Sequence, residues 1–168
     1  MSLILPHTDP EVIYRENFEH GNNGVRQNPY FPGAEPTAVT YQKVNGVWRA
    51  VFNGTTSKID TNFDFIKKLD ISIAVTINLT GWGGGSFGRM LENGKFGFNV
   101  DDSGNRLMAT SDNYGTQILT AINSLILGGT YRVGMSRTDT GVVNFFIEGE
   151  PSGTLNQASG TPAIGTTN

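Results

Sequence analysis

The 168-residue chain contains no cysteine, which removes disulfides, thiolate nucleophiles and cysteine-ligated zinc together. Charge is also scarce. Asp, Glu, Lys and Arg make up only 16% of residues, so the Glu- and Lys-rich outer faces that long exposed helices need are missing. Only two histidines occur, His7 and His20, both N-terminal and distant in sequence from any Ser/Asp arrangement suited to a nucleophile. No stretch approaches the roughly 18 apolar residues that span a bilayer. The opening, Met1 to Pro10, lacks a basic n-region and does not read as a signal peptide. The net charge is −3 and the basic residues are scattered, with Lys67-Lys68 the one adjacent pair. A nucleic-acid binder would carry a basic stripe. Neither a membrane nor a nucleic-acid partner is expected.

What is present favours strands and tight turns. Gly reaches 22 residues, and Asn and Thr recur throughout. The strongest local signal runs from Asp70 to Thr80, where Ile71, Ile73, Val75, Ile77 and Leu79 alternate with Ser72, Ala74, Thr76 and Asn78. A period of two with β-branched residues on one side describes a half-buried strand, whereas a helix would scatter those side chains around its circumference. Further strands are expected over 12–18, 47–52, 87–92, 95–101, 106–110, 117–121, 130–138 and 141–148. Phe96, Phe98 and Val100 share one face. Tyr131, Val133 and Met135 form an inward row, and Val143, Phe145 and Ile147 a second.

Asn53-Gly54, Asn93-Gly94 and Ser103-Gly104 supply residues that tolerate positive φ, as hairpins require, and Asn93-Gly94 marks the clearest hairpin. Residues 27–40 carry Pro29, Pro32 and Pro36 and read as an extended loop. Trp82 to Gly85 reads as a flexible tip bearing an exposed aromatic. Helical suggestions are short, at 63–69 and 121–127. Two sequons, Asn53-Gly-Thr55 and Asn78-Leu-Thr80, are read as chance in an Asn/Thr-rich chain. Short strands at regular spacing predict an all-β fold, an antiparallel two-sheet β-sandwich or jelly roll with few or no long helices.

Three segments, taken in order, resemble the laminin-G-like, concanavalin A-like jelly-roll domains. Ala50 to Asp60 is similar to that family's early strand pair, and Leu69 to Leu79 to the strand that follows, with Val75 where an aromatic is usual. Tyr131 to Arg137 with Val143 to Gly149 is similar to its later hairpin. The resemblance implies an arm over 1–11 and a sandwich over 12–168. Members usually continue for a further strand or two, so a missing closing strand is expected, leaving an open sheet edge that invites a protein partner.

No catalytic constellation is visible. A glycosidase of this family would carry a pattern resembling E-x-D-x-x-E, with two carboxylates about 5 Å apart. The nearest pair, Glu148-Gly-Glu150, reads as a solvated hairpin tip. No nucleophile elbow, zincin motif or phosphate loop occurs. The chain is therefore expected not to be an enzyme. Calcium, which this family sometimes binds at strand ends, finds candidate oxygens in Asp101, Asp102 and Asn105, which are equally ordinary turn residues; otherwise no cofactor is expected. Glycan or partner binding would fall to Trp82 and Tyr114 beside Asp112 and Asn113. Two functions follow as expectations. The first is a structural or assembly protein of a virus particle, such as a bacteriophage capsid-decoration or tail-associated protein, held in homo-oligomers or larger assemblies. The second is a secreted or cell-surface lectin-like module.

Overall fold

A computed structural model describes residue 21 and residues 34–60, 71–83, 87–93, 96–111, 118–119, 123–138 and 140–156. Every element formed by these residues is a strand, and all the pairings are antiparallel. No helix among the described residues is long and apolar enough to cross a membrane. The chain separates into two compact units, Met1–Phe65 and Ile66–Asn168. The arm expected over residues 1–11 lies outside the described residues. Strand periodicity shows which residues face inward, but not which strands share a core.

The first unit contains two strand pairs. Strand β1 (Glu35–Thr37) pairs with β4 (Lys58–Asp60), and β2 (Thr40–Val44) with β3 (Val47–Val51). The Pro-containing stretch expected to be loop therefore includes β1, where Pro36 lies opposite Ile59. Asn45 and Gly46 join β2 to β3 with φ of 52° and 83°, the left-handed pair of a two-residue hairpin turn. Asn53-Gly54 makes no hairpin, because β3 and β4 do not pair. Asn53 instead organises its own loop. Its Oδ1 accepts from the N–H groups of Thr55, Thr56 and Ser57 at 3.0, 2.9 and 3.0 Å.

The second unit holds two four-stranded sheets. In one, the order is β12 (Glu150–Asn156), β11 (Val142–Ile147), β10 (Thr130–Arg137) and β5 (Ile71–Asn78). In the other, it is β6 (Phe87–Glu92), β7 (Phe96–Asp101), β8 (Arg106–Ser111) and β9 (Ile118–Leu119). The alternation read in Ile71–Asn78 is realised residue by residue, with Ser72, Ala74, Thr76 and Asn78 exposed and the intervening apolar residues buried or half-buried. Strands β3, β6, β7, β8, β9, β10 and β11 lie within a residue or two of their expected ranges, whereas β2, β4 and β12 were not expected. Segment 12–18 and the suggested helix at 63–69 fall outside the described residues.

The sheets meet through aromatic and aliphatic side chains. Phe98 of β7 stacks on Phe145 of β11, with ring centroids 6.2 Å apart and an interplanar angle of 26°. Val133, Met135, Val143, Leu107 and Leu125 are buried with them. Of the two expected inward rows, Tyr131 and Ile147 are only half-buried. At the margin of this core the Arg137 guanidinium lies 4.6 Å from the centroid of the Phe96 ring, so a cation caps the apolar layer. Strand β7 is buried along its whole length, on both faces.

Turn chemistry was partly as expected. Asn93 closes the β6–β7 connection, its N–H donating to the Phe96 carbonyl and its Oδ1 accepting from the Phe96 N–H. In the β7–β8 turn, Asn105 rather than Gly104 takes positive φ, at 50°. Glu148-Gly149 forms the tip between β11 and β12, with φ of 55° and 87°. The described part of 121–127 is not helical. It runs beside the β7–β8 turn, with Asn123 and Leu125 donating their N–H groups to the Gly104 and Asn105 carbonyls at 2.7 and 2.8 Å.

Truncating Phe145 to alanine deletes a fully buried ring and its stacking partner's contacts. It should lower stability by about 3–5 kcal/mol, measured by denaturant unfolding. The exposed substitution Thr154→Ala should stay within about 0.5 kcal/mol.

Candidate functional site

The three candidate calcium ligands lie together in one turn, and the geometry gives them another role. Asp101 ends β7, opposite Arg106 at the start of β8. The Asp101 Oδ2 accepts from Arg106 Nε at 2.9 Å and from the Ser103 hydroxyl at 2.8 Å, while Oδ1 accepts from the Ser103 N–H at 3.2 Å. Arg106 Nη2 donates onward to Ser103 Oγ at 3.2 Å. Asp102 is exposed, and the Asn105 carbonyl is taken by Leu125. Calcium needs six to eight oxygens, and here a guanidinium already supplies the positive charge. No group of three metal-competent side chains occurs among the described residues. The donor set does not fit a calcium ion; it fits a stapled hairpin.

Burial of the Asp101 carboxyl works to raise its pKa. The hydrogen bonds from the Ser103 side chain, Arg106 and the Ser103 backbone, with the Arg106 charge, outweigh that and hold it below the usual value. A depressed folded-state pKa contributes stability above the unfolded value, near 4, and loses it as pH falls through the folded value. Asp101→Asn should therefore cost about 1–3 kcal/mol at neutral pH. It should also flatten the loss of stability below about pH 4, as followed by urea unfolding at several pH values.

Of the expected glycan platform, only Trp82 lies among the described residues. Trp82 is half-buried rather than open, and its backbone carbonyl lies where a Cβ on Gly88 would stand, 2.7 Å away. Asp112, Asn113 and Tyr114 lie outside the described residues.

Two surfaces are more distinctive: one missed in the sequence, and one an open edge of the kind expected but not placed on a particular strand. The first is the β2–β3 hairpin, where Val47, Trp48 and Val51 are exposed, followed by Phe52, and the Lys43 ammonium sits 5.9 Å from the Trp48 ring centroid. Val47 is 60% exposed and Phe52 49%, high for large apolar side chains on so short a segment. The Asn45-Gly46 dipeptide followed by Val-Trp was the available signal. The second is the free edge of β5. Of the other edges of the two four-stranded sheets, β12 has Pro151 and a bulge, β6 has a bulge and the Arg89–Glu92 ion pair at 2.8 Å, and β9 is only two residues long. Across its eight residues β5 has no charge, proline or bulge. Among the described residues no strand pairs with its outer side.

Compared with family models, curated proteins and solved structures, the chain matches none.

Proposed function

We propose that this is a non-enzymatic structural and assembly protein whose Ile66–Asn168 unit is a two-sheet sandwich of the laminin-G-like jelly-roll kind, and which serves on a virus particle as a bacteriophage capsid-decoration or tail-associated component. The observation that carries the assembly reading is the β2–β3 hairpin, with Val47, Trp48, Val51 and Phe52 turned to solvent. A lone two-stranded hairpin is marginal in water, and one that exposes a tryptophan and three further large apolar residues gains most from being covered. Exposed aromatic residues on a hairpin are what the centre of a protein interface uses. The Phe98–Phe145 stack between the two four-stranded sheets supports the sandwich reading. A cysteine-free chain suits a particle assembled in a reducing cytoplasm, where structural disulfides do not form.

Light scattering of the full chain across a concentration series should give masses that are multiples of 18.1 kDa. Val47→Ser combined with Trp48→Ser should lower the largest of them while leaving thermal unfolding within a few degrees. A monomer at every concentration overturns the assembly reading. If that monomer also retains an oligosaccharide on a glycan array, the function belongs to the lectin-like class.

A further inference from the structure

We propose that β5 is a self-pairing edge, through which two copies of this chain join antiparallel about a two-fold axis and fuse their four-stranded sheets into one of eight strands. This inference rests on the assembly reading and names one of its contacts. The direction of the backbone groups comes first. Arg132 lies opposite Thr76, and its polar groups serve the far side of β10: its carbonyl accepts from the Glu148 N–H at 2.8 Å, and its own N–H donates to Glu148 Oε1 at 2.8 Å. At the end of the strand the Leu79 N–H donates to the Gly129 carbonyl at 2.9 Å, and the Leu79 carbonyl accepts from Gly128 at 2.7 Å. Backbone polar groups alternate sides along an antiparallel ladder. The odd-numbered residues of β5 therefore bond towards β10. Ser72, Ala74, Thr76 and Asn78 aim their N–H and C=O groups at the free edge.

The side chains say what can pair there. Placing Val75 on the two-fold sets Ile73 opposite Ile77 and Ile71 opposite Leu79 on the inner face. On the outer face Ser72 meets Asn78 and Ala74 meets Thr76. Apolar residues meet apolar, polar or small residues meet polar, and no like charges oppose, because Ile71 to Thr80 carries none. Self-pairing normally sets each charge near its own copy, so a charge-free edge is the kind a second copy fits. Shifting the register by one residue would pair outward-facing groups with inward-facing ones and lose the ladder. The pairing continues the clean alternation of the existing sheet, and all four outward side chains are exposed.

The test uses the full chain and charges placed on the two facing positions. Ala74→Lys with Thr76→Lys puts like charges opposite one another twice across the two-fold, while both side chains stay in water in the monomer. Sedimentation velocity should show the dimer weakened by about tenfold or more, with thermal unfolding of the monomer little changed. Ala74→Asp with Thr76→Lys puts opposite charges at the same two pairs and should restore the dimer. Val75→Cys, in a chain with no other cysteine, should give a disulfide-linked dimer under mild oxidation. If the double-lysine variant associates as the parent does, or the Asp/Lys variant fails to recover, the proposal is overturned. The assembly reading survives that result provided the Val47/Trp48 variant still lowers the mass; a parent chain that is monomeric throughout overturns both.

Discussion

The Phe98–Phe145 stack is the contact on which the Ile66–Asn168 unit depends. Each ring stands on an interior strand of its sheet, β7 or β11, and neither exposes measurable surface to water. Burying two such side chains contributes roughly 3–6 kcal/mol together, comparable with the whole net stability of a small domain. On the neighbouring strands, Leu107 and Ala109 of β8 and Val133 and Met135 of β10 are all buried. Arg137 closes the layer by laying its guanidinium on Phe96, which lets a strand end carry a charge without breaking the apolar face.

Around that core, polar chemistry is local and short in range. Asp101, Ser103 and Arg106 satisfy one another within a single turn. Asn53 Oδ1 accepts three backbone N–H groups, and its Nδ2 donates to Thr56 Oγ1 at 2.8 Å. Tyr131 accepts from the Ile126 N–H at 3.0 Å, tying the strand to the segment before it. The chain has no disulfide and few charges to serve as long-range staples. Its non-local order is therefore carried by strand pairing and by the core.

How much of this could be read from the residues follows from the range of each interaction. The alternation in Ile71–Asn78 is a property of neighbours two apart, and it is realised without exception. Asn93 was legible because its side chain bonds three residues ahead. The choice of Asn105 over Gly104 for positive φ was not legible. That choice depends on Leu125 and Ser124 arriving at the Asn105 carbonyl from 19 or 20 residues away. Asp101 looked like a metal ligand because a carboxylate beside Asp102 and Asn105 has the right oxygens, and only the folded turn brings Arg106 onto it. Short strands such as β1 and β4, three residues each, carry too little pattern to detect and exist through their mutual register.

The unequal treatment of the sheet edges bears most directly on function. A strand edge with aligned free N–H and C=O groups will pair with any extended segment of suitable length, so edges are usually interrupted. Here β12 is interrupted by Pro151 and by a bulge opposite Phe145 and Phe146, and β6 by an extra residue between Arg89 and Leu91. Both devices remove or twist away the groups that would template a partner. Strand β5 has the longest run of unbroken register of any edge described, with eight consecutive pairs to β10, and none of these devices. Had avoidance of pairing been the common requirement, one lysine at Ser72, Ala74 or Thr76 would have met it without disturbing the core, since all three side chains already face water. Of the four edges of these two sheets, β12 and β6 are interrupted and β9 is only two residues long, which leaves β5 as the one long uninterrupted edge among the described strands, as the proposed self-pairing requires.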